Sequence, residues 1–374
     1  MQKTTADISA RQLFFVTLMI TTVTKVLTLP AALAAECGRD AWLALLGLIA
    51  ADAVVFAGVM LCTLLAPQAT LSDLLGAKRG KNGFFNVAVH ALLFTYLILR
   101  CLSVAKEVDA FLFSNLFDTT MTWAPIFPAV VAGGAFAAYK GLRAVARTTE
   151  LGGVLLAGLM MVGLVLSALG ARYQNLLPVA LKIPESGRAV WKYLFHAGDT
   201  AVLIPMLGRM KREQKIKRVM LVGFSAGIVT TFLYDLLFVA FYGNLAAFVT
   251  RGRSMSDMAQ SFIGGQGLLR MDVLVNLAWM AAALLKIMLI MWAAGACVHA
   301  AIPCEQTPRS KALVQGTLCA LLIAAYFLLS DAQLHRLFTG WARYIMPAVL
   351  SLTVLLPLLA ARRRKKTETE APAL

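Results

Sequence analysis

The stretch Thr21-Thr22-Val23-Thr24-Lys25-Val26-Leu27-Thr28-Leu29-Pro30 decides the fold. It lies in the middle of the first long apolar run, where a membrane-spanning helix would sit deepest in lipid. A charged side chain there costs at least about 2.5–3.5 kcal/mol on insertion scales, so Lys25 needs a partner or a water-filled cavity. Threonines can satisfy freed backbone groups, and proline removes a helix hydrogen bond. The stretch is written as a broken membrane helix with a polar site at its break.

Composition agrees. Of 374 residues, 60% are hydrophobic and only 14% charged, with a mean hydropathy of +0.76. Soluble domains average about 45–50% apolar and about 25% charged, so this is a polytopic membrane protein. The net charge of +16 is spread over the connections between apolar runs and the C-terminal end, and no basic soluble domain exists to hold nucleic acid. The first apolar run is too long for a signal peptide h-region, so no cleavable leader is expected. Cys37, Cys62, Cys101, Cys297, Cys304 and Cys319 show no CxxC spacing and read as small packing residues rather than a metal site. No cofactor is implied.

Apolar runs give about ten spans, at 11–35, 41–65, 84–112, 123–139, 150–169, 188–208, 216–244, 270–299, 311–330 and 338–361. The stretch 254–268 is amphipathic. With the N-terminus inside, the inner connections hold about twice as many Lys and Arg as the outer ones, which favours both termini in the cytoplasm. The basic run Arg362–Lys366 reads as a stop-transfer anchor, and the tail 362–374 ends as a short disordered segment.

The sixth run repeats the signature of the first. Thr24-Lys25-Val26-Leu27-Thr28-Leu29-Pro30 matches Asp199-Thr200-Ala201-Val202-Leu203-Ile204-Pro205, each a polar pair, four mostly apolar residues and proline. Paired interruptions in corresponding positions of two halves point to a transporter-type site. Five spans per half is an odd number, so the second half (188–361) enters the membrane opposite to the first (11–169). The expected architecture is therefore all-α, a five-plus-five inverted repeat with broken helices one and six in a single transmembrane domain.

Two polar stripes flank the breaks. Tyr96, Arg100, Ser103 and Glu107 share one face of the third span, and Asp272, Asn276, Trp279, Ala283 and Lys286 share one face of the eighth. Such faces turn away from lipid. The candidate ligand-binding residues are Thr24, Lys25, Val26, Leu27, Tyr96, Arg100, Ala197, Gly198, Asp199, Ala283 and Lys286. Arg100 and Lys286 fit a binding or a structural role equally. Asp52, Ser103 and Asn276 are read as interhelical hydrogen-bonding glue. His196 is read as a helix-break residue with a satisfied ring, and Asp235 as a counter-ion or an interfacial group. Gly223 and Gly227 permit close packing at the start of span seven. Half-helix N-termini suit a carboxylate and unwound carbonyls suit an ammonium, so a small zwitterion is the expected ligand. The Lys25 ammonium is expected to make sodium unnecessary.

Several blocks carry a family likeness: Ile8-Ser9-Ala10-Arg11-Gln12-Leu13-Phe14, Leu27-Thr28-Leu29-Pro30, Gly38-Arg39-Asp40-Ala41-Trp42-Leu43, Thr122-Trp123-Ala124-Pro125, Tyr139-Lys140-Gly141-Leu142 and Arg270-Met271-Asp272 through Trp279 to Lys286. Over nearly its whole length the chain resembles the GerAB family of spore germinant receptor B subunits. The resemblance implies membership of the amino acid–polyamine–organocation transporter superfamily, with a ligand pocket at broken helices one and six. It also implies a membrane complex with A and C subunits that senses an L-amino acid or similar nutrient and triggers germination. Lys25 departs from the likeness, since such proteins often carry a small residue there. An amino acid or amine permease of the same fold, proton-coupled through Asp199, Lys25 or Lys286, is the alternative. The four histidines form no nucleophile–base constellation and no phosphate-binding glycine loop occurs, so an enzyme is not expected.

Overall fold

The computed structural model describes residues 8–76, 83–115, 126–178, 182–210, 215–249, 258, 271–302 and 307–370. The side chains of Thr24, Ile126, Asp331 and residues 110–115, 271–276 and 363–370 lie outside that description. The expected amphipathic stretch 254–268 falls almost wholly outside it.

The described chain is helical almost throughout. Its main helices are α1 (Ala10–Leu27), α2 (Leu29–Cys37), α3 (Ala41–Leu65), α4 (Phe84–Asn115), α5 (Ile126–Lys140), α6 (Leu142–Gly170), α7 (Ile183–Lys192), α8 (Ile216–Tyr242), α9 (Met271–Ala301), α10 (Pro308–Leu328) and α11 (Ile345–Glu370). A 3-10 segment, Asp199–Arg209, follows α7.

Among the described residues, eight stretches are long and apolar enough to cross a membrane unaided. The two remaining expected spans fall short for separate reasons. Helix α5 has only 15 residues. The sixth run is split into α7, a short 3-10 turn at Leu194–His196 and the Asp199–Arg209 segment. Helix α11 continues through the basic run to Glu370, where the sequence suggested a disordered end. Arg, Lys and Glu are good helix formers, and an established helix extends through them at little cost.

Both breaks differ in detail from the sequence reading. In the first, Ser9 caps α1 through a box with Gln12, and the helix then runs unbroken to Leu27. Thr17, Thr21 and Thr22 turn their hydroxyls back onto carbonyls of their own helix at 2.8 Å, so they do not serve the break. The interruption is confined to Thr28, and Pro30 opens α2, where its missing N–H is not needed. In the sixth run the interruption precedes Asp199 instead of surrounding Pro205. Ala197 is extended and Gly198 is left-handed at φ +80°, a conformation glycine adopts without strain. Pro205 sits inside the 3-10 segment.

Packing brings the broken runs together. Helix α1 lies along α8, α4 along α9 and α3 along α11, while α9 also meets α5 and α6. The α1–α8 approach is close because Gly223 faces the Phe14 carbonyl and Gly227 faces Thr21. The turn between α2 and α3 is anchored by Asp40, which accepts the Lys182 backbone N–H at 2.7 Å. Large apolar side chains such as Leu151, Leu155 and Leu169 on α6 stay exposed, an arrangement suited to lipid and costly in water.

Candidate functional site

The chain is interrupted at Thr28 and at Ala197–Gly198, and between these points lies a buried cluster of charges. Asp199, first residue of the 3-10 segment, is wholly buried. Arg100 from α4 donates through Nε to its Oδ1 at 2.7 Å and through Nη2 to its Oδ2 at 3.3 Å. Lys286 from α9 donates to Oδ2 at 2.8 Å. Lys25, three residues before the first interruption, stands 3.5 Å from the same Oδ2 and pairs with Asp52 of α3. One carboxylate thus gathers cations from three helices. The fork of Arg100 gives the contact its direction.

Asp52 does more than hold helices together. Its Oδ1 accepts the Gly198 N–H at 2.7 Å, at the interruption itself. Neighbouring Ala197 offers its carbonyl to the Tyr96 hydroxyl at 2.9 Å. The backbone groups released by the second break are therefore met by side chains of α3 and α4, as buried polar groups in a membrane require. Asp52 joins α3 to α1 and to the 3-10 segment, the interhelical role read from the sequence, and it does so within the charged cluster. Its position near the middle of an apolar span was the available signal, since a lone mid-span carboxylate needs a cation.

The α4 stripe extends the cluster. Arg100 Nη1 lies 3.3 Å from Ser103 Oγ and 3.7 Å from Glu107 Oε1, and Ser103 donates to Glu107 at 3.0 Å. His196 Nδ1 lies 3.3 Å from Arg100 Nη1 and 3.5 Å from Glu107 Oε1, so this ring also faces the site. Glu107 Oε2 is buried and accepts no hydrogen bond among the described residues. The cations Lys25, Arg100 and Lys286 are balanced by Asp52, Asp199 and Glu107. That balance lets so many charges share one membrane interior.

The expected site residues converge with few exceptions. Lys25, Tyr96, Arg100, Ala197, Gly198, Asp199 and Lys286 are in the cluster. Val26 and Leu27 are buried in the last turn of α1, and Ala283 is buried one turn before Lys286. Trp279, on the same stripe, packs its ring edge-on to Tyr234 at 5.8 Å between centroids. The side chains of Thr24, Asp272 and Asn276 lie outside the description. Tyr234 donates to the Met160 carbonyl at 2.6 Å, while both oxygens of Asp235 are buried without a hydrogen-bond partner among the described residues. Asp52 and Glu107, named in the sequence as glue and as part of the α4 stripe, and His196, named as a helix-break residue with a satisfied ring, stand beside the expected site residues.

Comparison with known proteins gives the setting. The chain superposes on a substrate-bound, outward-open Na+-coupled sialic acid symporter with a TM-score of 0.62, at 14% identity, covering 94% of this chain and 82% of that one. A nucleobase-cation-symport-1 family transporter, closed with bromovinylhydantoin bound, gives a TM-score of 0.48 at 12% identity, covering 96% of this chain and 93% of that one. The symporter likeness shows the fold, an inverted-repeat transporter fold with interrupted first and sixth helices. No curated protein matches the sequence. The sequence model of a family described as "Spore germination protein" matches residues 7–335, most of the chain. The chain therefore belongs to the spore germination protein family, an assignment in keeping with a GerAB-type membrane protein.

Proposed function

We propose that this protein is the membrane subunit of a nutrient germinant receptor, binding a small amino-acid-like germinant at the interruptions of the first and sixth spans. The observation that carries this reading is Asp199, held simultaneously by Arg100, Lys286 and Lys25 from α4, α9 and α1. A ligand entering there must exchange contacts with all three helices, so its binding is felt across the bundle. A zwitterion suits the site because it adds no net charge to a balanced cluster. Its carboxylate would compete for Arg100 and Lys286, and its ammonium would find Glu107 Oε2, a buried acceptor with lone pairs to spare.

Lys25, Asp52, Arg100, Asp199 and Lys286 are buried while Glu107 and His196 are partly exposed, so a ligand reaching Asp199 requires the helices to part. Receptor action then follows from population shift: the ligand favours one arrangement of α1, α4 and α9 by its differential affinity for it. The Lys25 ammonium supports binding without sodium. A and C subunits would read out the change in a membrane complex, with both termini of this chain in the cytoplasm.

Two replacements test the site. Asp199→Leu and Lys25→Met should each abolish germinant response while leaving membrane insertion intact; unchanged response in both would move the site elsewhere. The fold shared with a symporter favours a second reading, a permease for an amino acid or amine. Uptake of labelled amino acid into proteoliposomes separates the two, since binding without flux supports the receptor and robust turnover supports the permease.

A further inference from the structure

A polar cavity lies elsewhere in the bundle, lined by none of the residues of the charged cluster. Its volume is about 370 Å³, and it opens where the end of α5, the start of α6, the last turns of α9 and the first turns of α10 meet. That is near the lower end of the range for small-molecule sites, about 300–1,000 Å³. Lys140, Arg143, Arg209 and Lys311 line it together with His299. No acidic side chain is among the described lining residues. Lys140, Arg143 and Lys311 give the concavity a positive potential that attracts an anion.

Two further features point inward. Gly141, at φ +97°, turns the chain sharply between α5 and α6 and leaves α6 without a side-chain cap. Gly141, Leu142 and Arg143 all line the cavity, so the positive end of the α6 dipole is directed at it. Gln315, only 6% exposed, also lines it. Its Nε2 donates to the Met291 carbonyl at 3.3 Å, and its Oε1 is buried without a hydrogen-bond partner among the described residues. A buried amide oxygen without a donor is costly. Gly295 makes room for this amide, since a Cβ there would overlap Gln315 Nε2.

We propose that this cavity binds a phosphate group carrying a hydroxyl. The cations and the α6 terminus would take the anionic oxygens, and Gln315 Oε1 would accept the hydroxyl. Phosphate in this chemistry comes either from solution or from an anionic lipid headgroup, and basic pockets between membrane helices are suited to the latter. The site shares no lining residue with the charged cluster at Asp199.

The test uses the full chain in phosphatidylcholine nanodiscs. Thermal unfolding is followed against inorganic phosphate, with chloride at matched ionic strength as control, and again with phosphatidylglycerol added to the bilayer. Stabilisation by phosphate alone identifies a soluble ligand, and stabilisation by phosphatidylglycerol identifies a headgroup; either supports the site. Lys140→Gln or Arg143→Gln, both on exposed positions that leave the fold intact, should each weaken the effect roughly tenfold in half-effective concentration. Gln315→Leu should weaken it with every charge retained. No stabilisation by either probe would overturn the proposal. So would an equal shift in wild type and variants, which would mark only the general exclusion of salt from protein surfaces.

Discussion

Replacing Lys25 by methionine leaves three altered environments. Asp199 keeps Arg100 at 2.7 Å and Lys286 at 2.8 Å, so it stays compensated. Asp52 keeps only the Gly198 N–H at 2.7 Å and becomes a buried carboxylate with no cation. Removing one partner of a buried ion pair costs about 3–5 kcal/mol, most of it from the charge left behind. Removing both charges is different: well-packed uncharged replacements of a buried pair are often neutral or stabilising. Lys25→Met should therefore lower the melting temperature of the purified protein on the order of 5–10 °C. Lys25→Met with Asp52→Asn should recover most of that loss, since the asparagine oxygen still accepts the Gly198 N–H. Thermal unfolding in detergent of wild type, both single variants and the double variant completes the cycle. Additive losses, with no recovery in the double variant, would refute the idea that Lys25 and Asp52 are balanced as a pair.

Three further outcomes are expected. Tyr96→Phe removes the hydrogen bond to the Ala197 carbonyl and should cost about 0.5–1.5 kcal/mol, read as a small fall in melting temperature with an intact fold. Gly198→Ala forces a Cβ at φ +80° to within 2.8 Å of Met346 Sδ and 3.2 Å of Tyr96 Oη; strain and crowding together should cost a few kcal/mol, seen as loss of folded protein or a marked drop in thermal stability. Germinant binding measured with and without sodium should give the same affinity, because Lys25 already supplies a cation beside Asp199.

Much of this was legible because membranes penalise misplaced polarity. A lysine amid threonines, and an aspartate after His196-Ala197-Gly198, had to lie at interior positions. Steps of three and four residues put Tyr96, Arg100, Ser103 and Glu107 on one inward face, and the structure keeps them there. The sites of the interruptions were harder to read. Proline is a poor marker of them, since Pro30 begins a helix and Pro205 sits inside a 3-10 segment; the left-handed Gly198 is the better sign. Asp52 was hidden because its partner is remote in sequence. A single carboxylate in an apolar helix does not reveal which cation it meets. Helix α5 was recognisable by apolarity, but at 15 residues it depends on its neighbours α6, α9 and α10.

The most direct measurement is ligand-induced thermal stabilisation of the purified chain, scanned over the L-amino acids, for wild type and Asp199→Asn. The substitution keeps the shape of the side chain but turns one acceptor oxygen into an amide donor and removes the charge that holds Arg100, Lys286 and Lys25. At least one amino acid should raise the melting temperature of wild type, since a bound ligand stabilises the native state. No such rise should occur in Asp199→Asn. An equal rise in both proteins would contradict a site at Asp199.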